Sequence, residues 1–351
     1  MREKLKHTLY SLILLWLFIC LVFVVGIYYY AKYLWNCPID ENGIHVVFKV
    51  KKGETFKDVV NRLKKKGILK DTKLFYLMGR LTKAENKIRS GEFLINTRWS
   101  QKRLLQYLIS GPPYLHKVTI PPGEPWWSVG KLFEKKGILK FSDFKKVIFD
   151  REFLDKNNIP GPCAEGYLYP DTYFFEKGVS KQHAREVVEK MVDEFWRQVK
   201  KHVWKKFLPE SHEIYKIVIL ASLVEKEAMY DFEKPIIAGV FLNRLKRNMR
   251  LQCDPTVIYG LGPEFIGNLR KKDLREKDNP YNTYQYKGLP PTPICSPTVS
   301  SILAVVHPAK HSYLYFVSKG DGTHKFSTTL KEHNKAVYKY QIAPHRKNVH
   351  K

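Results

Sequence analysis

Two glutamates one residue apart, Glu225 and Glu227, follow an apolar run in the segment Ile219–Ala228, ILASLVEKEA. Seven of the eight residues from Ile217 to Val224 are apolar, Ser222 being the exception. They point all round a helical wheel, which marks a buried helix. Carboxylates are rarely buried unless something pairs or uses them. Near a helix C-terminus a carboxyl feels the negative end of the dipole, and burial also disfavours its charged form. Both effects raise its pKa, as a general acid working near neutral pH requires. On a helix the two glutamates diverge by about 200°, so they cannot both face one bond. One is available as a catalyst, the other for solvent or a salt bridge to Lys226 or an arginine. The residues alone do not choose between them.

Other polar residues cluster in irregular stretches. Asn243, Gln252, Asp254, Tyr281, Asn282, Thr283 and Tyr284 are hydrogen-bonders and aromatics of the kind that hold sugars. The last four lie in Asn279–Pro297, a segment with five prolines, and a long structureless loop is uncommon unless functional. Each tyrosine also has an ordinary packing role open to it, and Asp254, just before Pro255, can simply start a turn. His324 and His333 lack metal-site spacing of the HExxH kind, Ser222 lacks a GxSxG setting, and no Gly-rich phosphate loop occurs. Neither a metal nor a cofactor is expected.

Several elements must position these residues. Helices are predicted at about Lys181–Val203, Glu213–Ala228, Glu233–Lys246, Thr298–Val306 and Thr329–Tyr340. Leu251–Leu261 starts with a Pro-broken turn. Tyr313–Val317 and His324–Ser327 read as strands joined by a turn at Gly320-Asp321-Gly322. Gly161–Tyr173 (GPCAEGYLYPDTY) reads as a boundary loop and turn. Nearer the N-terminus, Val50–Lys70 and Ile120–Lys140 align without a gap at an offset of 70 residues, sharing KKGILK. Each copy predicts a strand, a glycine turn and a helix ending at Gly67 or Gly137. Lys64–Lys66 is a solvated helix face, and the basic tail Arg346–Lys351 is expected to fray.

The chain has 351 residues, enough for two or three domains, with 61 Lys+Arg against 34 Asp+Glu, a formal charge of +27. Such a surface seeks polyanions: nucleic acid, anionic lipid or acidic cell-wall polymers. Thr8–Ala31 is 24 residues without a charge, long enough to span a bilayer. Arg2, Lys4 and Lys6 before it hold residues 1–7 in the cytoplasm, and Tyr28, Tyr29, Tyr30, Tyr33 and Trp35 form an aromatic belt after it. A cleaved signal peptide fits less well, because the run is long and no small-x-small site follows. The basic domain is therefore expected outside the cytoplasm, which disfavours nucleic acid. Cys37, Cys163, Cys253 and Cys295 could pair there, although their spacing gives no connectivity.

The segments EGYLYPDTY, ILASLVEKEA, AGVFLNRLKRNMRLQCDPTVIYGL, NPYNTYQYKGLPPTPI, HPAKHSYLYFVSKGDGTHKFS and EHNKAVYKY occur in an order that resembles the YceG-like (MltG) family of endolytic murein transglycosylases. The resemblance covers roughly Val50 to Tyr340. It implies a membrane-anchored enzyme that cleaves peptidoglycan glycan strands internally, near sites of synthesis, with wall synthases as possible partners. It places the catalytic acid on the second glutamate of VEKE, Glu227. The chain departs from the family at Cys253, where Ser or Thr is usual, and at Cys295, where Ala is common; a disulfide between them is left open. The stretch 44–115 resembles a LysM-like module, with a plain spacer as the other reading.

The expected architecture is α+β: a membrane helix at 8–31, the module at 44–115, and a catalytic domain at 116–345 with its core at 161–345. The expected activity is lytic transglycosylation by Glu227. Gln252, Asn282 and Thr283 are candidates to hydrogen-bond substrate, and Tyr281 and Tyr284 to stack on it. Asp254 is a further substrate-site candidate and would be the second carboxylate of a water-using hydrolase, which is one rival. A non-catalytic peptidoglycan-binding scaffold is the other.

Overall fold

The computed structural model describes residues 2–69, 71–178, 180–205 and 209–344; Lys70 and the tail Arg346–Lys351 lie outside the described residues. The architecture is mixed α+β, in two compact units, Met1–His116 and Lys117–Lys351.

The first unit begins with helix α1 (Arg2–Asn36). From Lys6 to Asn36 it is long and apolar enough to cross a bilayer, and its Leu, Ile, Val and Phe side chains stand exposed. That is the surface expected of a helix whose solvent is lipid. Strand β1 (His45–Val50), helices α2 (Phe56–Lys65) and α3 (Thr72–Leu81), strand β2 (Gly91–Asn96) and helix α4 (Gln101–Ser110) follow. β1 and β2 pair antiparallel from His45↔Asn96 to Val50↔Gly91. They and the helices close over Phe48, Leu63, Phe75, Phe93, Leu104 and Leu108. Trp35, at the end of α1, packs on Phe75 with ring centroids 6.2 Å apart, so the helix is seated in this core at its C-terminal end.

The second unit contains strand β3 (His116–Thr119), which opens on the last residue of the first, and helices α5 (Trp126–Lys135), α6 (Phe141–Ile148) and α7 (Arg151–Lys156). Strand β4 (Thr172–Phe175) pairs with β3. Helices α8 (Lys181–His202), α9 (Ser211–Glu227), α10 (Lys234–Lys246), α11 (Asp254–Leu261) and α12 (Val299–Val306) follow. The hairpin β5 (Tyr315–Ser318) and β6 (His324–Ser327) and helix α13 (Leu330–Val337) complete the unit. α9 is its axis: Val218 through Val224 are all buried, and the helix touches α10, α11 and α12. Truncating one of its leucines to alanine should cost about 2–5 kcal/mol.

The two repeat copies fold alike locally. In each, the helix ends with an amide reaching back past a glycine: Ile68 N to Leu63 O at 3.0 Å, and Ile138 N to Phe133 O at 2.9 Å. Gly67 (φ 70°) and Gly137 (φ 68°) supply the left-handed turn. The copies start differently, since Thr55 caps α2 through its side chain and Pro125 offers α5 no such bond. Leu251–Leu261 departs from expectation. Pro255 lies in the first turn of α11, where its missing N–H costs nothing, so the proline opens a helix that the sequence reading took for a broken turn.

Candidate active site

Glu225 and Glu227 leave the end of α9 into different surroundings. Glu225 is enclosed, with its side chain 7% exposed. Its Oε2 accepts from the Thr298 backbone N–H at 2.8 Å, the Thr298 hydroxyl at 2.6 Å and the Ser301 hydroxyl at 2.6 Å. Lys234 Nζ stands 3.4 Å from both of its oxygens. The carboxylate thus sits on a free amide at the start of α12, where a negative charge is favoured, and it shares the Lys234 cation with Asp231. Its hydrogen-bonding capacity is used up in joining α9, α10 and α12.

Glu227 is the last residue of α9, and Ala228 after it is already extended. The residue is partly exposed, because it opens on a cleft of about 560 Å³ lined also by Arg244, Gln252, Asp254, Tyr284, Tyr315 and His324. Protein atoms nevertheless crowd its carboxyl, and that desolvation pushes its pKa up. Asp254 adds to the rise by charge repulsion, while the Cys253 hydrogen bond, His324 when it is protonated, and the Arg244 charge oppose it. The Cys253 thiol donates to Glu227 Oε1 at 3.2 Å. Burial, and then Glu227 itself, drives that thiol's pKa well up, so its protonated, hydrogen-donating form is favoured. A carboxyl whose protonated form is favoured by burial and that faces an open cleft is suited to deliver a proton to a bound group.

The structure divides the other expected site residues. Gln252, Asp254 and Tyr284 line the cleft with Glu227. Asp254 Oδ1 accepts from the Tyr284 hydroxyl at 2.6 Å, and Gln252 adopts φ 49°. Asn282, Thr283 and Tyr281 are not among the residues that line it. Asn282 is fully buried and donates to the carbonyls of Asp273 and Glu276 at 3.2 and 2.8 Å, so it has no free group to offer. The Thr283 hydroxyl accepts from Cys253 N at 2.9 Å and meets the Thr256 hydroxyl at 2.9 Å. Tyr281 spends its hydroxyl on Thr292 at 2.9 Å and packs its ring on Tyr259, 4.9 Å between centroids. These three hold the loop in place. Asn243, also on the polar list, donates to the carbonyls of His311 and Tyr313.

Sequence reading missed Arg244, Tyr315 and the use of His324. Arg244 is buried. It donates to the carbonyls of Leu314 (2.6 Å) and Leu251 (2.8 Å) and to Gln252 Oε1 (3.2 Å), and its guanidinium lies 5.1 Å from the Tyr315 ring centroid. It ties α10 to the loop before α11 and to the segment entering β5. The only sign in the sequence is an arginine beside Asn243 in a largely apolar helix, FLNRL. The disulfide left open between Cys253 and Cys295 is not formed: all five cysteines are free. Cys295 gives its thiol to the Ser222 carbonyl at 3.3 Å. Glu165, from the presumed boundary loop, is fully buried. It accepts from Trp126 N at 3.0 Å, Tyr259 OH at 3.1 Å and Gly166 N at 3.3 Å, and burial raises its pKa to about 7. Among the described residues no three of His, Cys, Asp and Glu converge as a metal site would require.

Fold and site together define a polar cleft with one shielded carboxyl, built on the end of a buried helix in an α+β unit. The profile of the YceG-like family matches residues 48–339, and the chain belongs to that family. An endolytic murein transglycosylase of Bacillus subtilis (strain 168) is 32% identical over 332 residues, 90% of each chain. One from Streptococcus pneumoniae (strain R6) is 25% identical over 338 residues, covering 86% of this chain and 59% of that protein. Among solved structures, a protein of Listeria monocytogenes described as yceG-like aligns with a TM-score of 0.54 and 30% identity, over 84% of this chain and 99% of that one.

Proposed function

We propose that this protein is an endolytic murein transglycosylase, a lyase of peptidoglycan glycan strands, with Glu227 as its acid. The observation that carries the assignment of the acid is the contrast at the end of α9. Glu225 is saturated with partners, whereas Glu227 has a raised pKa and faces the cleft. The activity itself is supported by family membership and by the names of the relatives.

Protonated Glu227 gives its proton to the oxygen between N-acetylmuramic acid and N-acetylglucosamine. The C6 hydroxyl of the muramyl residue attacks C1 and closes a 1,6-anhydro ring. The new Glu227 carboxylate is one acceptor for the hydroxyl's proton, so a single carboxyl suffices, where ordinary glycosidases need two. Gln252, Asp254 and Tyr284 are the proposed substrate contacts among the residues expected from sequence.

α1 anchors the protein in the cytoplasmic membrane, with residues 1–7 on the cytoplasmic side and the catalytic unit on the wall side, by the positive-inside rule. The βααβ order of β1, α2, α3 and β2 supports reading 44–115 as a LysM-like module, and peptidoglycan synthases are the proposed protein partners. A second reading, a water-using muramidase, rests on Asp254, a carboxylate in the same cleft. Mass spectrometry of digested glycan strands separates the two: 1,6-anhydro ends support transglycosylation, and reducing ends would replace it with hydrolysis.

A further inference from the structure

The cleft holds a second proton acceptor, and a buried carboxylate is dedicated to aiming it. Glu233, just before α10, has a side chain 4% exposed. Among the described residues, that side chain hydrogen-bonds to one residue only, His324, across 91 positions of sequence. Glu233 Oε1 accepts the His324 backbone N–H at 2.9 Å, and Oε2 faces His324 Nδ1 at 2.8 Å. A carboxylate can only accept, so Nδ1 carries a proton, and whenever the ring is neutral its lone pair is on Nε2.

The ring is also boxed by aromatics. Phe316 meets it edge-on with centroids 5.3 Å apart, and Phe326 lies at 6.2 Å. Nε2 has no hydrogen-bond partner among the described residues, and His324 lines the same cleft as Glu227. Burying a carboxylate is costly unless it is paired. Spending one on both N–H groups of a single histidine, with the ring's other nitrogen unused, is how an acid–base imidazole is held in one tautomer and orientation.

We propose that His324 is the base of the transglycosylation and Glu233 its positioning residue; this rests on the reading of the protein as a transglycosylase. As the C1–O bond of the muramyl residue breaks, its electron pair goes to the leaving oxygen, which takes the proton of Glu227. O6 forms its bond to C1 and releases its proton to His324 Nε2. The step ends with a Glu227 carboxylate and a His324 imidazolium, and one proton passed back through solvent resets both. The acid and base roles thus belong to two groups, and Glu227 need not turn round within one turnover.

The test uses the detergent-solubilised full chain and uncrosslinked glycan strands. His324→Ala should lower kcat about 10²-fold with KM changed by less than about threefold, and added imidazole should restore about tenfold of the loss. Glu233→Gln should lower kcat by about tenfold and gain nothing from imidazole, because its ring is present but loosely held. His324→Gln, which keeps a donor toward Glu233, serves if the alanine variant does not fold, and should show the same kcat loss. Strand binding by each His324 variant is measured in a Glu227→Gln background, where no cleavage intervenes. Unchanged kcat in a folded His324 variant, or a loss that appears only in strand binding, would overturn the proposal. Glu227→Gln alone keeps the two readings apart: if it abolishes cleavage while His324 variants cleave normally, the transglycosylase reading stands and the His324 base falls.

Discussion

Glu225 and Glu227 share a helix end, a residue type and nearly the same sequence context, yet their surroundings are opposite. Glu225 has a cation, two hydroxyls and a backbone amide, and joins three helices. Glu227 has one weak donor, the Cys253 thiol, and a cleft. The difference comes from the roughly 200° between positions i and i+2 on a helix, which turns one carboxylate toward α12 and the other toward the loop before α11. A buried carboxylate becomes structural when its charge is answered. It becomes a proton donor when it is desolvated and left largely unanswered.

Exchanging the two roles by mutation gives the largest expected effects. Glu227→Gln should lower glycan cleavage by about 10²- to 10⁴-fold while leaving the thermal melt in place or slightly raised, as assayed on the same preparation. Glu225→Ala should act the other way. It takes from Lys234 its buried carboxylate, leaving the exposed Asp231 at 2.8 Å, and removes the acceptor of the Thr298 and Ser301 groups, for a cost of about 1–3 kcal/mol, visible in denaturant unfolding. If Glu225→Ala melted like the wild type, the structural half of the comparison would fail.

Glu165 extends the comparison to a third carboxyl, one with hydrogen bonds but no cation in contact. Its pKa in the folded chain is about 7, raised from 4.5 by burial. The folded state therefore holds a proton that the unfolded state releases as pH rises from 4.5 to 7. Folding stability declines across that window, by about 3 kcal/mol. Glu165→Gln should remove that part of the slope in denaturant midpoints measured from pH 4.5 to 8, and an unchanged slope would show that Glu165 is not the group responsible.

The smallest effects probe what sets the Glu227 pKa. With Glu227 as the acid, activity should need its protonated carboxyl and fall as pH rises through its pKa. The Cys253 thiol stabilises the charged form and Asp254 repels it. Cys253→Ala should move the alkaline limb of the rate profile to higher pH, and Asp254→Asn should move it to lower pH. Shifts in the same direction would break the account of the site's electrostatics.

Much of the fold could be read along the chain, because the signals were local. Gly67 and Gly137 ended their helices through a left-handed turn that glycine favours, and the all-round apolar run of α9 had to be buried. Proline misled at α11, since the same residue breaks a helix interior and opens a first turn. Of the candidate site, the residues offered Glu225 and Glu227 as a pair and a set of polar loop positions, and only the family resemblance pointed to Glu227. Asn282 and Thr283 hold local backbone, which the sequence could not tell from ligand-holding because both use the same residue types. Arg244 and His324 were missed because what gives them meaning lies far away in sequence, at Leu314 and Glu233. Glu165 sat unnoticed in a segment read as a boundary, since its burial depends on Trp126 and Tyr259.

The central claim is that one of the two glutamates breaks the glycan and the other holds the fold. It is tested most directly by digesting purified strands with wild type, Glu225→Gln and Glu227→Gln, and identifying the new ends by mass spectrometry. The account predicts 1,6-anhydro-muramyl ends from the wild type and from whatever fraction of Glu225→Gln is folded, and none from Glu227→Gln. Anhydro ends from Glu227→Gln at the wild-type rate would contradict it.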